Sequence, residues 1–221
     1  MCFSATASFG VSIALLGVGA AALREVKAPR QYLFAAIPLI FAVQQFIEGV
    51  VWLSLTDPSY EQFQRSSPYA YLIFAHAVWP IGVPLAIFLL EKDKMRKRML
   101  ALLIGIGTVV ATIFMYYVFT KEAFAGISGH HIYYDLRIPF QTSIFASMAY
   151  CLATVFPAFI SSVRKMKWLG WSSLASLFVS IVYFEENLIS VWCFFAAIIS
   201  VVVFAIMQRS STVLKTKLVA Q

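Results

Sequence analysis

Charge is the first thing this sequence lacks. Only 12% of its 221 residues are Asp, Glu, Lys or Arg, 61% are hydrophobic, and the mean hydropathy is +0.83. Polar surface this sparse cannot cover a water-soluble globule of the same size, so the composition points to a lipid bilayer as the solvent. Cysteine is scarce as well. Cys2, Cys151 and Cys193 have no metal-finger or redox spacing, and the last two fall in apolar runs where they are expected to pack as small hydrophobes. There is no zincin motif and no repeated His spacing. No lysine lies inside an apolar run, which argues against a retinal Schiff base. No basic segment precedes the first apolar run, which reads as an uncleaved anchor and not a cleaved leader. Linkers, low-complexity tracts and a soluble domain are also missing.

What is present is a series of apolar runs of about 20 residues, the length that crosses a bilayer as a helix. Seven candidate spans are read at about 4–23, 31–55, 69–90, 99–119, 142–162, 168–184 and 188–207. The expected fold is all-α: a polytopic membrane protein forming one seven-transmembrane-helix bundle over residues 1–221, with the lipid bilayer as its main partner. The span at 168–184 is the shortest and is serine-rich.

The cations give this bundle a direction, because cytoplasmic connections retain Lys and Arg. Of the 17 cations, 14 fall after the first, third, fifth and seventh spans. They are Arg24, Lys27 and Arg30, then Lys92, Lys94, Arg96, Lys97 and Arg98, then Arg164, Lys165 and Lys167, then Arg209, Lys215 and Lys217. The opposite connections carry Arg65, Lys121 and Arg137 beside Asp57, Glu61, Glu122, Asp135, Glu185 and Glu186. The N-terminus is expected outside and the C-terminus in the cytoplasm. The net charge of +7 therefore marks topology and implies no nucleic-acid partner. Two outer connections are long, 56–68 and 120–141, and the second has the length of a lid or an interfacial helix.

Small residues recur at four-residue spacing at Ser4, Ser8 and Ser12 and again at Ser172, Ser176 and Ser180, which predicts close helix contacts. Pro38, Pro80, Pro84 and Pro157 fall inside spans, and each removes a backbone donor and can kink its helix. In an α-helical register the donor missing at Pro80 frees the carbonyl of His76.

The stretch "QQFIEGVVW", Gln44 to Trp52, carries the clearest functional signal. Gln44, Glu48 and Trp52 are spaced by four and Gln45 precedes Glu48 by three, so they share one side of a helix that must face protein or water. Glu48 and His76 each lie seven residues from the outer end of their spans, about 10 Å deep at ~1.5 Å per residue. Adjacent antiparallel helices pack together, so a Glu48–His76 pair is the expected way to house two ionisable groups that are costly in lipid. The bland alternative is a purely structural hydrogen-bonded pair.

The sharper expectation is a polar pocket open to the outside. Its candidate metal ligands are Cys2, Glu48 and His76, a mixed S/N/O set suited to zinc or copper. Gln44, Gln45, Trp52, Trp79 and Glu185 would line it. Two alternatives stay open: a proton- or cation-coupled transporter or channel, and a seven-helix sensor of a small external ligand. Neither catalysis nor an oligomeric state can be read from these residues.

The opening "MCFSATASFG", with "QQFIEGVVW" and "HAVWP", resembles an uncharacterised family of small bacterial multi-pass membrane proteins, over the whole chain. The resemblance implies a bacterial inner-membrane location and carries no ligand set or activity with it.

Overall fold

The computed structural model describes residues 4–219, so Cys2 lies outside the described residues. The chain is helical. Among the described residues eight main helices run α1 Ala5–Arg24, α2 Ile37–Thr56, α3 Ser66–Ile73, α4 Trp79–Leu90, α5 Lys94–Thr120, α6 Phe140–Val155, α7 Met166–Tyr183 and α8 Leu188–Val219. Among the described residues five helical stretches are long and apolar enough to cross a membrane: Ala5–Arg24, Pro29–Thr56, Ser66–Leu90, Lys94–Thr120 and Glu185–Gln208. The expected fifth span falls on a shorter apolar helix, Ile144–Ile160, and the expected sixth on the 18-residue α7. Exposed side chains such as Phe145, Met148, Trp168, Phe178 and Tyr183 present an apolar outer surface, as lipid-facing helices do.

Three of the four in-span prolines coincide with a break or distortion, whereas Pro84 lies inside the unbroken helix α4. A helical turn at Tyr32–Ala35 breaks before α2, whose second residue is Pro38. A second break separates α6 from the turn Pro157–Ile160. At Pro80 the outcome differs in detail. Residues Phe74–Val78 form a π-helical turn joining α3 to α4, and the Trp79 amide bonds back to the Phe74 carbonyl, five residues away. In that register the carbonyl left without a donor by Pro80 is that of Ala75, not His76. The Tyr150 hydroxyl of α6 donates to it at 2.6 Å.

Helices in lipid gain nothing from hiding apolar surface from each other, so they associate through close packing and hydrogen bonds. α1 and α2 show this directly. Ser8 and Ser12 are buried between them, and the Ser12 hydroxyl donates to the Ala42 carbonyl at 2.8 Å. Gly19 lies against Leu39, and Gly49 against the Phe9 ring. Ser4 is instead the exposed N-cap of α1, accepting from the Ala7 amide. On α7 the stripe is buried at Ser176 and Ser180 but only partly at Ser172. α5 passes so close to the kink that a Cβ at Gly107 would fall on the Pro80 carbonyl.

The long connection 120–141 is neither open loop nor helix. It is an antiparallel hairpin of β1 Phe124–Ser128 and β2 His131–Asp135, a small accessory to the expected all-α fold. The loop is the pair Gly129–His130, with Gly129 at φ 60°, and glycine in this first position is what a type II′ hairpin turn uses. The run His131-Ile132-Tyr133-Tyr134 supplies β-branched and aromatic residues that suit a strand. Alternate residues Ile132 and Tyr134 face inward, and Tyr134 stacks on Tyr71 with centroids 4.8 Å apart. The hairpin closes one end of the bundle over Val51, Trp52 and Tyr71.

At the opposite end the connections 91–93 and 161–163 are tied by Glu91, which is 2% exposed. Its carboxylate accepts from the amides of Lys92, Asp93 and Ser162 and from the Ser162 hydroxyl, at 2.6–3.1 Å. Burial pushes this carboxyl up, but the bonds from Ser162, Asp93 and Lys92 outweigh it and hold the pKa down to about 2. The Arg96 guanidinium donates to the Ile160 carbonyl at 2.8 Å and closes the same junction.

Candidate functional site

Helical spacing puts Gln44, Gln45 and Glu48 on the inner side of α2, and all three are completely buried. Glu48 does not pair with His76. Its Oε2 accepts from Gln45 Nε2 at 3.0 Å, and its Oε1 accepts from the Ser190 hydroxyl of α8 at 2.6 Å. The carboxyl thus ties α2 to a helix 142 residues further along the chain. Gln44 plays the matching part toward α4, accepting from the Trp79 indole Nε1 at 2.6 Å. Trp79 also stacks on Phe41, centroids 3.8 Å apart. Cys193, one turn after Ser190, sets its thiol against Tyr71 and Gln44.

His76 sits elsewhere in the bundle's interior. Its ring stacks on Phe114 of α5 at 4.2 Å and meets the edge of Tyr150 at 6.1 Å. Both ring nitrogens are buried and neither has a hydrogen-bond partner. The expected Glu48–His76 hydrogen bond is therefore absent. The rotation of each helix about its axis aims Glu48 at α8 and His76 at the α5–α6 side.

A cleft of about 710 Å³ opens beside His76, with Phe114, Tyr150, Cys151, Trp192 and Cys193 in its wall. Its rim carries Phe145, Met148, Phe156 and Ile181, all exposed and apolar. A smaller cavity of about 70 Å³ lies further inside and shares Tyr150, Trp192 and Cys193 with the cleft, while Trp79 and Phe41 line its far side. Tyr150 and Trp192 meet edge to face at 5.5 Å between the two spaces. The π-helical turn carrying His76 lies at this junction, a distortion frequent at functional sites.

The remaining sequence candidates distribute as follows. Trp52 is buried beneath the hairpin with its indole nitrogen unpartnered. Glu185 is exposed on the turn Glu185–Asn187 that precedes α8, so it lines no interior pocket with Glu48. The hairpin packs over the end of α2, so the end of the bundle where an opening was expected is covered. Among the described residues no group of three or more His, Cys, Asp or Glu is arranged to hold a metal ion.

Four residues with a part in these sites escaped the sequence reading. Ser190 was overlooked because a single serine near the start of an apolar span carries no periodic signal. Tyr150 carries no signal that separates it from other aromatics in an apolar run, and Cys193 reads as a small packing hydrophobe. Glu91 looked like part of a solvated, cation-rich connection, although the run Glu91–Asp93 ahead of a basic helix start was a visible capping signal.

The helices, their apolar outer surface and the buried polar network define a helical protein of membrane type. The chain belongs to DUF6629, a family of unknown function, which it matches over residues 1–217. No curated protein and no solved structure matches it.

Proposed function

We propose that this protein spans a bacterial inner membrane seven times, N-terminus outside and C-terminus in the cytoplasm. There it binds a small, mainly apolar molecule with at least one hydrogen-bonding group in the cleft beside His76. The alternation of cation-rich and acid-rich connections supports the topology. The cleft's volume lies in the range of small-molecule sites, and its wall has their usual make-up, apolar with few polar groups.

The observation that carries this reading is the bare imidazole. A neutral His presents one donor and one acceptor. Leaving either unpaired in the interior costs about 1–3 kcal/mol, a penalty that a ligand bridging to His76 from the cleft removes. The exposed apolar rim makes the bilayer the entry route. His76 orients the polar group of the ligand and can exchange a proton with it, and the stacked Phe114 ring with the perpendicular Tyr150 ring holds the imidazole in place.

The test is organic extraction of the purified protein followed by mass spectrometry. His76→Phe keeps the ring stacking and removes both nitrogens. A near-stoichiometric small molecule is expected from the parent protein, with roughly tenfold less from the variant, the order lost with one good hydrogen bond. Equal recovery from the two, or no compound from either, sinks the proposal.

A second reading, zinc or copper held by Cys2, Glu48 and His76, draws on the same two nitrogens, since an imidazole nitrogen free of hydrogen bonds is an available ligand. It requires Glu48 to release Ser190 or Gln45 and to turn from α8 toward His76. Elemental analysis separates the readings: stoichiometric metal that disappears in both His76→Phe and Cys2→Ser supports the metal centre against the organic ligand.

A further inference from the structure

At the end of the bundle tied by Glu91, the connections before α5 and α7 form a cup of about 410 Å³ lined by Arg96, Ser162, Arg164, Lys165, Lys167 and Trp168. We propose that this cup holds the phosphate-bearing headgroup of an anionic phospholipid, whose acyl chains lie along α7.

Cation-rich connections are normal on cytoplasmic faces, and most such charges are simply solvated. Three observations set this cluster apart. First, the loop that presents it is held rigid: the Ser162 amide and hydroxyl both donate to buried Glu91, and the Val163 amide donates to the Ser161 hydroxyl at 3.1 Å. Arg96 is fixed in place by the Ile160 carbonyl, with the other donors of its guanidinium still available. Second, Lys165 is held at φ 71°, in the left-handed region that a lysine rarely adopts, directly between Arg164 and the start of α7. Strain of this kind persists only where surrounding structure enforces it, and it clusters at binding sites.

Third, the cup continues into an apolar track. Trp168, Trp171, Leu174, Phe178 and Ile181 are all exposed and follow one another at three- and four-residue steps up α7. A free phosphate ion or nucleotide has no use for that track, whereas a phospholipid matches both parts: charge in the cup, chains on the stripe. Trp168 stands at the boundary, where indole rings favour the headgroup level. Basic pockets between helices at a cytoplasmic face are a recognised way of binding anionic headgroups.

Native mass spectrometry of the full chain in detergent tests this, with phosphatidylglycerol, phosphatidylcholine of the same chains, and inorganic phosphate added in turn. Phosphatidylglycerol is expected to remain bound at concentrations where phosphatidylcholine does not. Arg164→Gln with Lys167→Gln is expected to weaken its retention about tenfold or more, while Arg164→Lys with Lys167→Arg keeps it. Lys27→Gln with Arg30→Gln, the same charge loss in another connection, should leave it unchanged. Equal retention of the two lipids by the unmodified chain overturns the site, a result that needs no variant to fold. An equal loss with the Lys27 and Arg30 pair reduces the effect to diffuse charge and overturns it too. Displacement of the lipid by millimolar phosphate would make the cup a soluble-anion site and overturn the lipid assignment.

Discussion

Glu91 and His76 are both buried polar groups, at 2% and 7% exposure, on either side of the same helix α4. Glu91 is surrounded by donors: four hydrogen bonds from two connections converge on it. His76 is surrounded by rings, and its nitrogens meet nothing. Burial alone does not distinguish a structural residue from one awaiting a ligand. The satisfaction of its hydrogen bonds does, because folding selects for closing buried polar groups unless something else closes them later. Glu48 falls with Glu91 by this criterion, since both of its oxygens accept bonds within the protein.

The largest effect should come from Glu91. Glu91→Ala leaves four donors facing a space they cannot fill, and about 3 kcal/mol should be lost in denaturation by mixed micelles, a typical cost of removing a charged acceptor. The contrast sharpens with pH. The folded carboxyl is held down to about 2, below its ordinary value of 4.5. Its contribution is therefore fully present above pH 4.5 and is lost as pH falls toward 2. The difference in stability between the parent and Glu91→Gln should shrink over that window. A difference that stays constant through it would show that the carboxylate is not what holds the junction.

A smaller effect is expected at Ser190→Ala, which strips one donor from Glu48. Intramembrane hydrogen bonds average well under 2 kcal/mol, so a loss of about 1 kcal/mol is expected in the same assay. A loss as large as that for Glu91→Ala would mean that Glu48 sits in a far drier environment than its partners suggest. The smallest loss belongs to His76→Phe. With no hydrogen bond to lose, its stacking kept and two unpaired buried nitrogens removed, the variant should cost the ligand-free protein no stability and can raise it by about 1 kcal/mol. A loss above about 2 kcal/mol in that form would place His76 beside Glu91 as a structural residue and erase the contrast.

Much of this arrangement was legible in the sequence. Long apolar runs announce helices of membrane type because the backbone must satisfy its own hydrogen bonds in lipid. The burial of Gln44, Gln45 and Glu48 together follows from helical periodicity, and the breaks at Pro38 and Pro157 from a missing donor. Ser8 and Ser12 were readable as a contact face. Each of these depends on residues within a turn or two of one another.

What the sequence could not supply was partnership. The hydrogen bond from Ser190 to Glu48, the stacking of His76 on Phe114 and the Tyr134–Tyr71 contact under the hairpin depend on how each helix is rotated and which neighbour it meets. A rotation of a few tens of degrees changes every partner while leaving the sequence pattern the same. The π-helical turn shows this at the smallest scale: one extra residue in a turn moved the orphaned carbonyl from His76 to Ala75, where Tyr150 was in position to close it. Local chemistry determined which groups had to be buried; the packing of distant helices decided which were satisfied there, because hydrogen bonds between helices form only at the few contacts that the whole bundle permits.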